Sequence, residues 1–411
     1  MSATESNSSR TTRRLHIFHV HQTPAFIGGS EQSLQLSMQY LRAKGHKATL
    51  LCGTTSGKMP MPDVNNLIAL PELFLRDPLP FWRRAELGRL LLSEVDRLSP
   101  DVVHIRGNGL QPYLVEHLAA HWPTVYSPHN PVCPNGARYL YRDRSICTAP
   151  VSHSCITSGF RAHGCGHLST GDPVSAPAFA RALLTTKKLL RAMKRCQCVL
   201  ASSTWQAETL IRDGLPSDRV AVVHPPITPM LRAPSDNEPT VVFAGRLVEF
   251  KGADHLLRAS SCITSPHRVW IIGDGPARQQ LEQFSTELGI DSRVTFWGAM
   301  EPDRIHELMA HATVVVVPSL WPETFNQVGA QAATGGHHVV AYDAAGMQDW
   351  GSRYSNVVLV EHGQWHLLAD AIDVILASLD QPIGAVPNYF SSDAHTESLL
   401  KIYNRAVACG I

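Results

Sequence analysis

The feature that most constrains this fold is an alternation of short apolar strands with helix-forming segments, which occurs in two series along the chain. The first series runs from residue 15 to residue 223, and the second runs from residue 240 to about residue 378. Alternating strands and helices form parallel sheets with right-handed crossovers and with helices on both faces. The sequence therefore predicts an α/β protein with two doubly wound halves.

A proline-rich segment separates the two series. Residues 224–239 contain five prolines and few residues that favour regular structure, which is typical of a linker. We expect a first domain over residues 15–228 and a second over residues 237–387. Residues 1–14 are rich in Ser, Thr and Arg and lack an apolar core, so we expect a disordered leader there and no secretory signal.

The composition restricts the partners and the compartment. The 411 residues carry 36 Lys and Arg against 35 Asp and Glu, and a formal net charge of +1 gives no field for a polyanion, so we expect no nucleic-acid partner. The longest apolar runs have the length of strands and not of membrane spans. Nine cysteines, an odd number, suit a reducing compartment. We therefore expect a cytoplasmic protein, and the one basic helix near residues 183–195 gives little support for a membrane-surface partner.

The most informative single stretch follows a strand predicted at residues 313–317. This β-branched run stops at Pro318, and residues 323–334 are predicted to form a helix that ends at a glycine pair. Glu323 would then lie at the start of a helix beyond the carboxyl end of a strand, where open α/β sheets bind ligands. The simpler interpretation is that Glu323 only caps the helix.

The first half has candidate positions of its own. Gly28 and Gly29 follow the first strand, and a glycine pair lets backbone approach a ligand closely, although a tight turn explains the pair equally well. His129 follows a strand predicted at residues 124–127, at the edge of the sheet where ligands bind. A satisfied loop histidine is the alternative at that position.

The second half lacks two common nucleotide-binding motifs. No G-x-x-x-x-G-K-[ST] occurs, and the turn with Gly273 and Gly275 has Arg278 where a dinucleotide-binding loop has its third glycine. A P-loop nucleoside triphosphatase and a dinucleotide-dependent redox enzyme are therefore poorly supported.

Two cations follow the first strand of the second half. Arg246 and Lys251 can together neutralise a diphosphate, the Arg through its planar fork and the Lys as a mobile charge. The helix expected to start near Glu323 would add the N–H groups of residues 324–326. Two ordinary surface cations on a solvated loop are the alternative.

A cysteine-rich excursion interrupts the alternation at residues 130–172. It contains Cys133, Cys147, Cys155 and Cys165, with three histidines nearby. Four thiols with imidazoles could hold zinc, but the gaps of thirteen, seven and nine residues lack the short spacing of structural zinc sites. A zinc site, a disulfide and packed thiols remain open, and packed thiols are favoured.

Four motifs resemble those of one protein family. FAGRLVEFKG at residues 243–252, IIGDGP at 271–276, VTFWG at 294–298 and VVVPSLWPETF at 315–325 are similar to the retaining GT-B glycosyltransferases of family 4, the glycosyl transferases group 1. The resemblance implies two Rossmann-like domains that face each other across a cleft, with a nucleotide-sugar donor on the second and an acceptor on the first. It also implies that a last helix, residues 391–411, crosses back to the first domain.

The resemblance also assigns roles to residues. Arg246 and Lys251 would hold the donor diphosphate, Glu323 would bind the sugar hydroxyls, and His129 would lie near the reacting face of the sugar. The glycine pair would let the donor and the acceptor approach the backbone. The expected donor-binding positions are Gly28, Gly29, Arg246, Lys251, Gly273, Glu323, Thr324, Phe325, Asn326 and Gln331.

The activity that the resemblance implies is transfer of a sugar from a nucleotide-diphosphate sugar, with UDP and GDP favoured, to a hydroxyl or other nucleophile of an unidentified acceptor, with retention of configuration. No metal ion and no further cofactor are expected, because two cations and backbone dipoles can neutralise the diphosphate. Gln331 replaces the second carboxylate of the family pattern, Asn326 replaces the usual glycine, and Pro225-Pro226 replaces the usual Asn-Gly. Two alternatives stay open: a nucleotide-sugar epimerase of the same fold and, because of these departures, a non-catalytic nucleotide-sugar binding protein.

Overall fold

The structure is a computed structural model, which describes residues 13–22, 28–53, 67–74, 80–167, 173–233, 238–379, 383–384 and 386–410. The expected leader lies outside these residues except for its last two positions.

Strands of two parallel sheets form the framework of the molecule. In chain order the strands are β1 (His16–His21), β2 (Lys47–Cys52), β3 (Leu67–Ala69), β4 (Val102–Arg106), β5 (Thr124–Ser127), β6 (Tyr139–Leu140), β7 (Ser145–Ile146), β8 (Cys198–Ala201), β9 (Val220–Val222), β10 (Thr240–Ala244), β11 (Arg268–Ile272), β12 (Val294–Gly298), β13 (Val314–Val317), β14 (His338–Asp343) and β15 (Val357–Glu361). The first sheet has the order β3-β2-β1-β4-β5-β8-β9, and the second has the order β12-β11-β10-β13-β14-β15. Neighbouring strands in both sheets run parallel, while β6 and β7 form a small antiparallel hairpin.

Helices alternate with these strands. They are α1 (Gly29–Ala43), α2 (Phe81–Leu98), α3 (Pro112–His121), α4 (Ala176–Met193), α5 (Thr204–Arg212), α6 (Ala253–Cys262), α7 (Arg278–Glu287), α8 (Pro302–Ala310), α9 (Gln327–Thr334), α10 (Gln348–Gly351), α11 (Trp365–Ala377) and α12 (Ser392–Cys409). Within the described ranges, none of these helices has both the length and the apolar character that a bilayer span requires.

The strand order of each sheet reverses at one point and thereby fixes where a ligand can bind. Strand β1 lies between β2 and β4, and β10 lies between β11 and β13, so the chain winds outward in both directions from each. Ligands of doubly wound sheets bind at the carboxyl ends of the strands beside such a reversal. The prediction of two doubly wound α/β halves is confirmed, and the two crevices are the ends of β1 and β4 and the ends of β10 and β13.

The central strands are buried on both faces, as parallel sheets covered by helices require. All residues of β1, β4 and β13 are buried. The last helix, α12, belongs to the core of the first half, where Leu399, Tyr403 and Ala406 pack with Leu15 and Ile17. The chain therefore returns to its first half after completing the second.

The helix predicted at residues 323–334 begins later than expected. In the structure α9 starts at Gln327, and Glu323 lies in the preceding loop. Asn326 has a φ of 62°, and its side chain accepts a hydrogen bond from the N–H of Gly329. This left-handed residue marks the N-terminal boundary of the helix, because an α-helix cannot include a positive φ. The prediction that Glu323 opens the helix was wrong by four residues.

The cysteine-rich excursion forms the β6–β7 hairpin and a short π-helical segment, Cys155–Phe160. Its four thiols line one small cavity of about 30 Å³. No disulfide joins any of the nine cysteines, which all lie in the described ranges, and among those residues no three His, Cys, Asp or Glu side chains are arranged to hold a metal ion. Burial, with the neighbouring thiols, raises the pKa of Cys165 to about 12. This arrangement agrees with the interpretation as packed thiols.

Candidate active site

A cleft of about 1070 Å³ lies between the two halves, at the carboxyl ends of β1 and β4 on one side and of β10 and β13 on the other. Both halves contribute to its walls. The residues predicted for the site that line it are Gly28, Gly29, His129, Arg246, Lys251, Glu323, Thr324, Phe325, Asn326 and Gln331. The two sheets thus bring distant parts of the sequence to one place, as the resemblance implied.

Lys251 and Glu323 meet on the wall that the second half provides. The Lys251 ammonium forms an ion pair with the Glu323 carboxylate, and the Ser319 hydroxyl donates a hydrogen bond to the same carboxylate over 2.9 Å. The two loops meet because Gly252 has a φ of 72° and a Cβ there would lie 1.9 Å from the Pro318 carbonyl oxygen. Only glycine at position 252 allows this approach.

Arg246 lines the same wall and is exposed to the cleft. It follows the carboxyl end of β10, while Glu323 follows β13, and these two strands are neighbours in the sheet. Two cations and one carboxylate therefore lie together at the switch point of the second sheet. An ammonium and a guanidinium on one wall can compensate two negative charges of a bound diphosphate.

Gly273 does not line the cleft, and its expected role in donor binding is therefore not supported by its position. Its φ is 127°, and a Cβ there would lie 2.0 Å from the carbonyl oxygen of Gly245. Its N–H donates to the carbonyl of Gly298 over 2.9 Å. Gly273 instead allows close packing behind the turn that carries Arg246.

The N–H groups available at the start of α9 lie later in the chain than predicted. Because the helix begins at Gln327, the N–H groups without an intrahelical partner include those of Asn326, Gln327 and Val328, and all three residues line the cleft. Thr324 donates its hydroxyl to the carbonyl of His129 over 3.1 Å. The Thr324 side chain therefore helps to join the two halves.

Phe325 and Gln331 line the cleft, but both also contact other side chains of the protein. Phe325 is 2% exposed and packs against His224 and Phe390. Gln331 is buried, and its amide donates to Oε1 of Gln32 over 3.4 Å, across the cleft. An amide at this position can still hydrogen-bond a hydroxyl without the charge of a carboxylate.

The glycine pair forms the opposite wall. Gly28 donates its N–H to the Glu31 carboxylate over 3.0 Å, and the Gln327 amide donates to the Gly29 carbonyl over 2.8 Å. A Cβ on Gly29 would lie 2.8 Å from Cδ of Gln327. The small residue therefore allows the two halves to approach each other.

His129 extends from the loop after β5 into the cleft, beside His21, at 5.3 Å between ring centroids. Burial lowers the pKa of His129 well below its usual value, and the neighbouring His21 and Arg106 lower it further. The imidazole is therefore neutral near pH 7 and can donate one hydrogen bond and accept another.

The residues of the first half that line the cleft and that sequence reasoning missed include His21, Glu31 and Arg106. His21 and Glu31 lie 3.6 Å apart, and Arg106 is the last residue of β4. The signal that could have revealed Arg106 is a charged residue at the carboxyl end of a fully buried strand, directly before the Gly107-Asn-Gly109 turn.

Two family matches cover most of the chain. Residues 27–230 match Glycosyltransferase Family 4, and residues 232–382 match Glycosyl transferases group 1. The boundary between the two matches falls in the proline-rich segment that the sequence predicted as the linker.

Curated relatives match about half of the chain. A D-inositol 3-phosphate glycosyltransferase of Nocardia farcinica is 30% identical over 239 residues, which are 51% of this chain and 52% of the relative. A 2-deoxystreptamine glucosyltransferase of Streptomyces kanamyceticus is 26% identical over 192 residues, which are 44% of this chain and 49% of the relative. The chain thus spans about half the length of the curated relatives it matches.

Solved structures share the fold over nearly the whole chain. Sucrose-phosphate synthase of Thermosynechococcus elongatus superposes with a TM-score of 0.71 at 18% identity, covering 96% of this chain and 100% of that chain. Anabaena HepE, solved with UDP-glucose, superposes with a TM-score of 0.68 at 18% identity, covering 95% of this chain and 100% of that chain. The shared fold is that of GT-B glycosyltransferases, and the two family matches, which together cover most of the chain, show that the chain belongs to the glycosyltransferases of family 4 and group 1.

Proposed function

We propose that the protein transfers a sugar from a nucleotide-diphosphate sugar to a hydroxyl group of an acceptor, with retention of anomeric configuration. The observation that carries this proposal is the convergence of Arg246, Lys251, Glu323 and the start of α9 on one wall of the cleft, opposite His129. A charged diphosphate and a polyhydroxylated sugar are the ligand groups that such a wall suits.

In this proposal, the protein accelerates sugar transfer by stabilising the leaving group. Cleavage of the glycosidic bond passes through a transition state that resembles an oxocarbenium ion, while negative charge grows on the departing diphosphate. Arg246, Lys251 and the N–H groups of Gln327 and Val328 would stabilise this growing charge. Because they stabilise the transition state more than the bound donor, they raise the rate of transfer.

Lys251 and Glu323, which form an ion pair with each other, can each exchange that partner for a group of the donor when it binds. When the diphosphate approaches, the Lys251 ammonium can contact a phosphate oxygen, and the Glu323 carboxylate then accepts hydrogen bonds from the sugar hydroxyls. Neither group is left buried and unpaired in either state, which avoids the cost of an isolated buried charge.

Retention of anomeric configuration is supported by the contacts that the carboxylates in the cleft already make. Within the described part of the chain, the acidic residues that line it are Glu31 and Glu323. The Glu31 carboxylate contacts His21 and accepts a hydrogen bond from the N–H of Gly28, and the Glu323 carboxylate forms an ion pair with Lys251. We infer that the acceptor attacks from the face that the leaving group vacates, with neutral His129 hydrogen-bonded close to the reacting carbon.

For the donor we propose a UDP- or GDP-sugar. The similar Anabaena HepE has been solved with UDP-glucose, which supports UDP. For the acceptor, the relatives named above act on D-inositol 3-phosphate and 2-deoxystreptamine, which supports a small acceptor. We propose that no metal is needed for the reaction, and addition of EDTA should then leave the rate unchanged.

A two-step experiment tests this function. Thermal-shift measurements with UDP, GDP, dTDP and ADP and with their sugars should show one nucleotide that raises Tm, because a ligand that binds only the folded state stabilises it. Proton NMR with the matching donor should then show release of the nucleoside diphosphate and an anomeric signal of unchanged configuration in the product. Interconversion of the donor sugar without cleavage would indicate an epimerase, and binding without any turnover would indicate a binding protein.

A further inference from the structure

Arg106 is a buried cation on the wall of the cleft that the first half provides. It is the last residue of β4, its side chain is 6% exposed, and it lines the cleft. Within the described residues, its Nε is buried and has no hydrogen-bond partner. The mechanism proposed above does not use this guanidinium.

The groups around Arg106 are neutral. Burial is the main cause that lowers the pKa values of His19, His104 and His129, and the nearby guanidinium lowers them further. These imidazoles therefore carry no charge near pH 7. The Tyr403 hydroxyl interacts with the guanidinium, and the phenol pKa is raised to about 12 by burial. Arg106 therefore lies among imidazoles and a phenol that do not balance its charge.

No carboxylate compensates Arg106 in the part of the chain that the structure describes. The two carboxylates of the cleft belong to Glu31 and Glu323, and these pair with His21 and Lys251. A guanidinium stays charged in proteins and has five donors in a fixed fork. A buried cation without a counter-charge is unfavourable in the empty site and becomes favourable when an anion binds beside it.

A purely structural role would use only part of this side chain. Arg106 can connect β4 to α12 through the Tyr403 hydroxyl, but this contact uses only one of the N–H donors of the guanidinium. A hydroxyl also bonds well to a neutral amide, so this contact does not require a charge. The buried charge and the unused Nε therefore point to a ligand.

We propose that Arg106 binds an anionic group, a phosphate or a carboxylate, of a substrate in the cleft. The inference rests on the function proposed above and specifies the chemistry of the substrate. Arg246 and Lys251 line the opposite wall and would bind the donor diphosphate, so a further anion at Arg106 lies on the side where the acceptor binds. Its planar fork suits bidentate contact with two oxygen atoms of one such group.

Inorganic phosphate is the first probe. The protein is saturated with UDP, or with the nucleoside diphosphate that the thermal-shift screen selects, so that the diphosphate position is filled, and phosphate is titrated by calorimetry. Wild-type protein should bind phosphate, and Arg106→Gln should bind it about tenfold more weakly or worse, since a hydrogen bond to a charged group is lost. Arg304→Gln, at an exposed ion pair on α8, is the matched control and should bind as wild type.

Matched pairs of sugars locate the source of the anion. If the acceptor carries it, glucose 6-phosphate should bind the UDP-saturated protein more tightly than glucose, and Arg106→Gln should remove this preference. If the donor sugar carries it, UDP-glucuronate should bind more tightly than UDP-glucose, again only while Arg106 is present. Equal phosphate binding by wild type, Arg106→Gln and Arg304→Gln, with no preference in either pair, would overturn the proposal.

The stability of the variants separates binding from a structural role. Arg106→Gln should melt at the same temperature as the wild type or higher without ligand, because it removes an uncompensated buried charge. Arg106→Lys should keep part of the phosphate binding. A lower Tm for Arg106→Gln together with unchanged phosphate binding would show that Arg106 only supports the fold. If the nucleoside diphosphate binds none of the proteins, the function proposed above fails, and with it this inference.

Discussion

At the scale of single residues, replacement of Lys251 is expected to lower turnover strongly. Its ammonium lies beside Glu323 on the cleft wall and is held there by the close contact of Gly252 with Pro318. The Lys251→Ala variant should lower turnover by about 10²-fold, the usual effect of losing one preorganised donor to a developing negative charge. Steady-state kinetics with the identified donor measure this loss. Lys188→Ala, on the exposed surface of α4, is the matched control, and near-normal turnover in Lys251→Ala would contradict the assigned role.

Glu323 tests the other partner of this pair. The Glu323→Gln variant keeps the shape of the side chain but removes the charge that binds sugar hydroxyls and balances Lys251. We expect loss of sugar transfer, while the nucleoside diphosphate alone binds as well as before or better, because Lys251 is released from its ion pair. Calorimetry with the diphosphate and a transfer assay separate these effects. Unchanged transfer by a folded variant would remove Glu323 from the site.

At the scale of secondary-structure elements, the start of α9 explains one departure from the family pattern. Asn326 replaces a glycine, and its φ of 62° lies in a region that favours both residues over others. The substitution therefore preserves the backbone conformation, and the Asn side chain adds a cap on the N–H of Gly329. The departure at Asn326 is thus compatible with the loop conformation that a glycine would adopt.

Two variants of Asn326 test this interpretation. Asn326→Gly keeps the left-handed conformation and loses only the cap, so the free energy of unfolding should fall by a few tenths of a kcal/mol. Asn326→Ala loses the cap and also places in the left-handed region a residue that adopts it less readily than Asn or Gly, so it should cost about 1–2 kcal/mol. Denaturant unfolding gives both values. Equal losses in the two variants would show that the positive φ is not important.

Sequence patterns predicted the presence of strands and helices better than the residues at which they begin and end. The β-branched runs of β10 and β13 are apparent from composition alone, because strands buried on both faces need apolar residues throughout. The start of α9 was not predictable, since it depends on a single backbone angle at Asn326. Arg106 was missed for a related reason: its burial depends on contacts with residues distant in sequence, such as Tyr403, which no local pattern contains. Gly273 was predicted to bind the donor, but it packs against Gly245.

At the scale of the whole molecule, buried histidines couple stability to pH. Helix α12 joins the first half through His395, whose ring contacts the Ser37 hydroxyl at 2.9 Å and the His224 carbonyl at 2.7 Å. Burial, and secondarily Arg106, lowers the pKa of His395 to about 3. Because an unfolded histidine has a pKa near 6.5, the unfolded state binds more protons between about pH 3 and 6.5. Stability should therefore be full above pH 6.5 and should fall as the pH decreases through this window.

Replacement of this histidine tests the pH dependence. A histidine with a pKa of about 3 in the folded state makes folding about 2 kcal/mol less favourable at pH 5 than at pH 7. The His395→Gln variant should lose less stability than wild type over this interval, and unfolding at pH 7 and pH 5 measures the difference. His153→Gln, at an exposed histidine, should retain the wild-type dependence. An identical pH dependence in His395→Gln would contradict the assignment.

The two halves meet in the structure through direct contacts as well as through the linker. Gln327 donates to the carbonyl of Gly29, Thr324 donates to the carbonyl of His129, and Thr204 donates to the carboxylate of Asp349. These contacts bring the cations of the second half opposite the imidazole of the first. The site therefore depends on both halves being present together.

The central claim is that Arg246 and Lys251 bind the diphosphate of a nucleotide sugar in this cleft. Calorimetric titration of UDP and GDP into wild type, Arg246→Ala, Lys251→Ala and the control Lys188→Ala tests it most directly. One of the two nucleotides should bind wild type and the control equally, at one site per chain, and should bind each of the other two variants about tenfold more weakly or worse. Binding of equal strength to all four proteins, or to none of them, would contradict the claim.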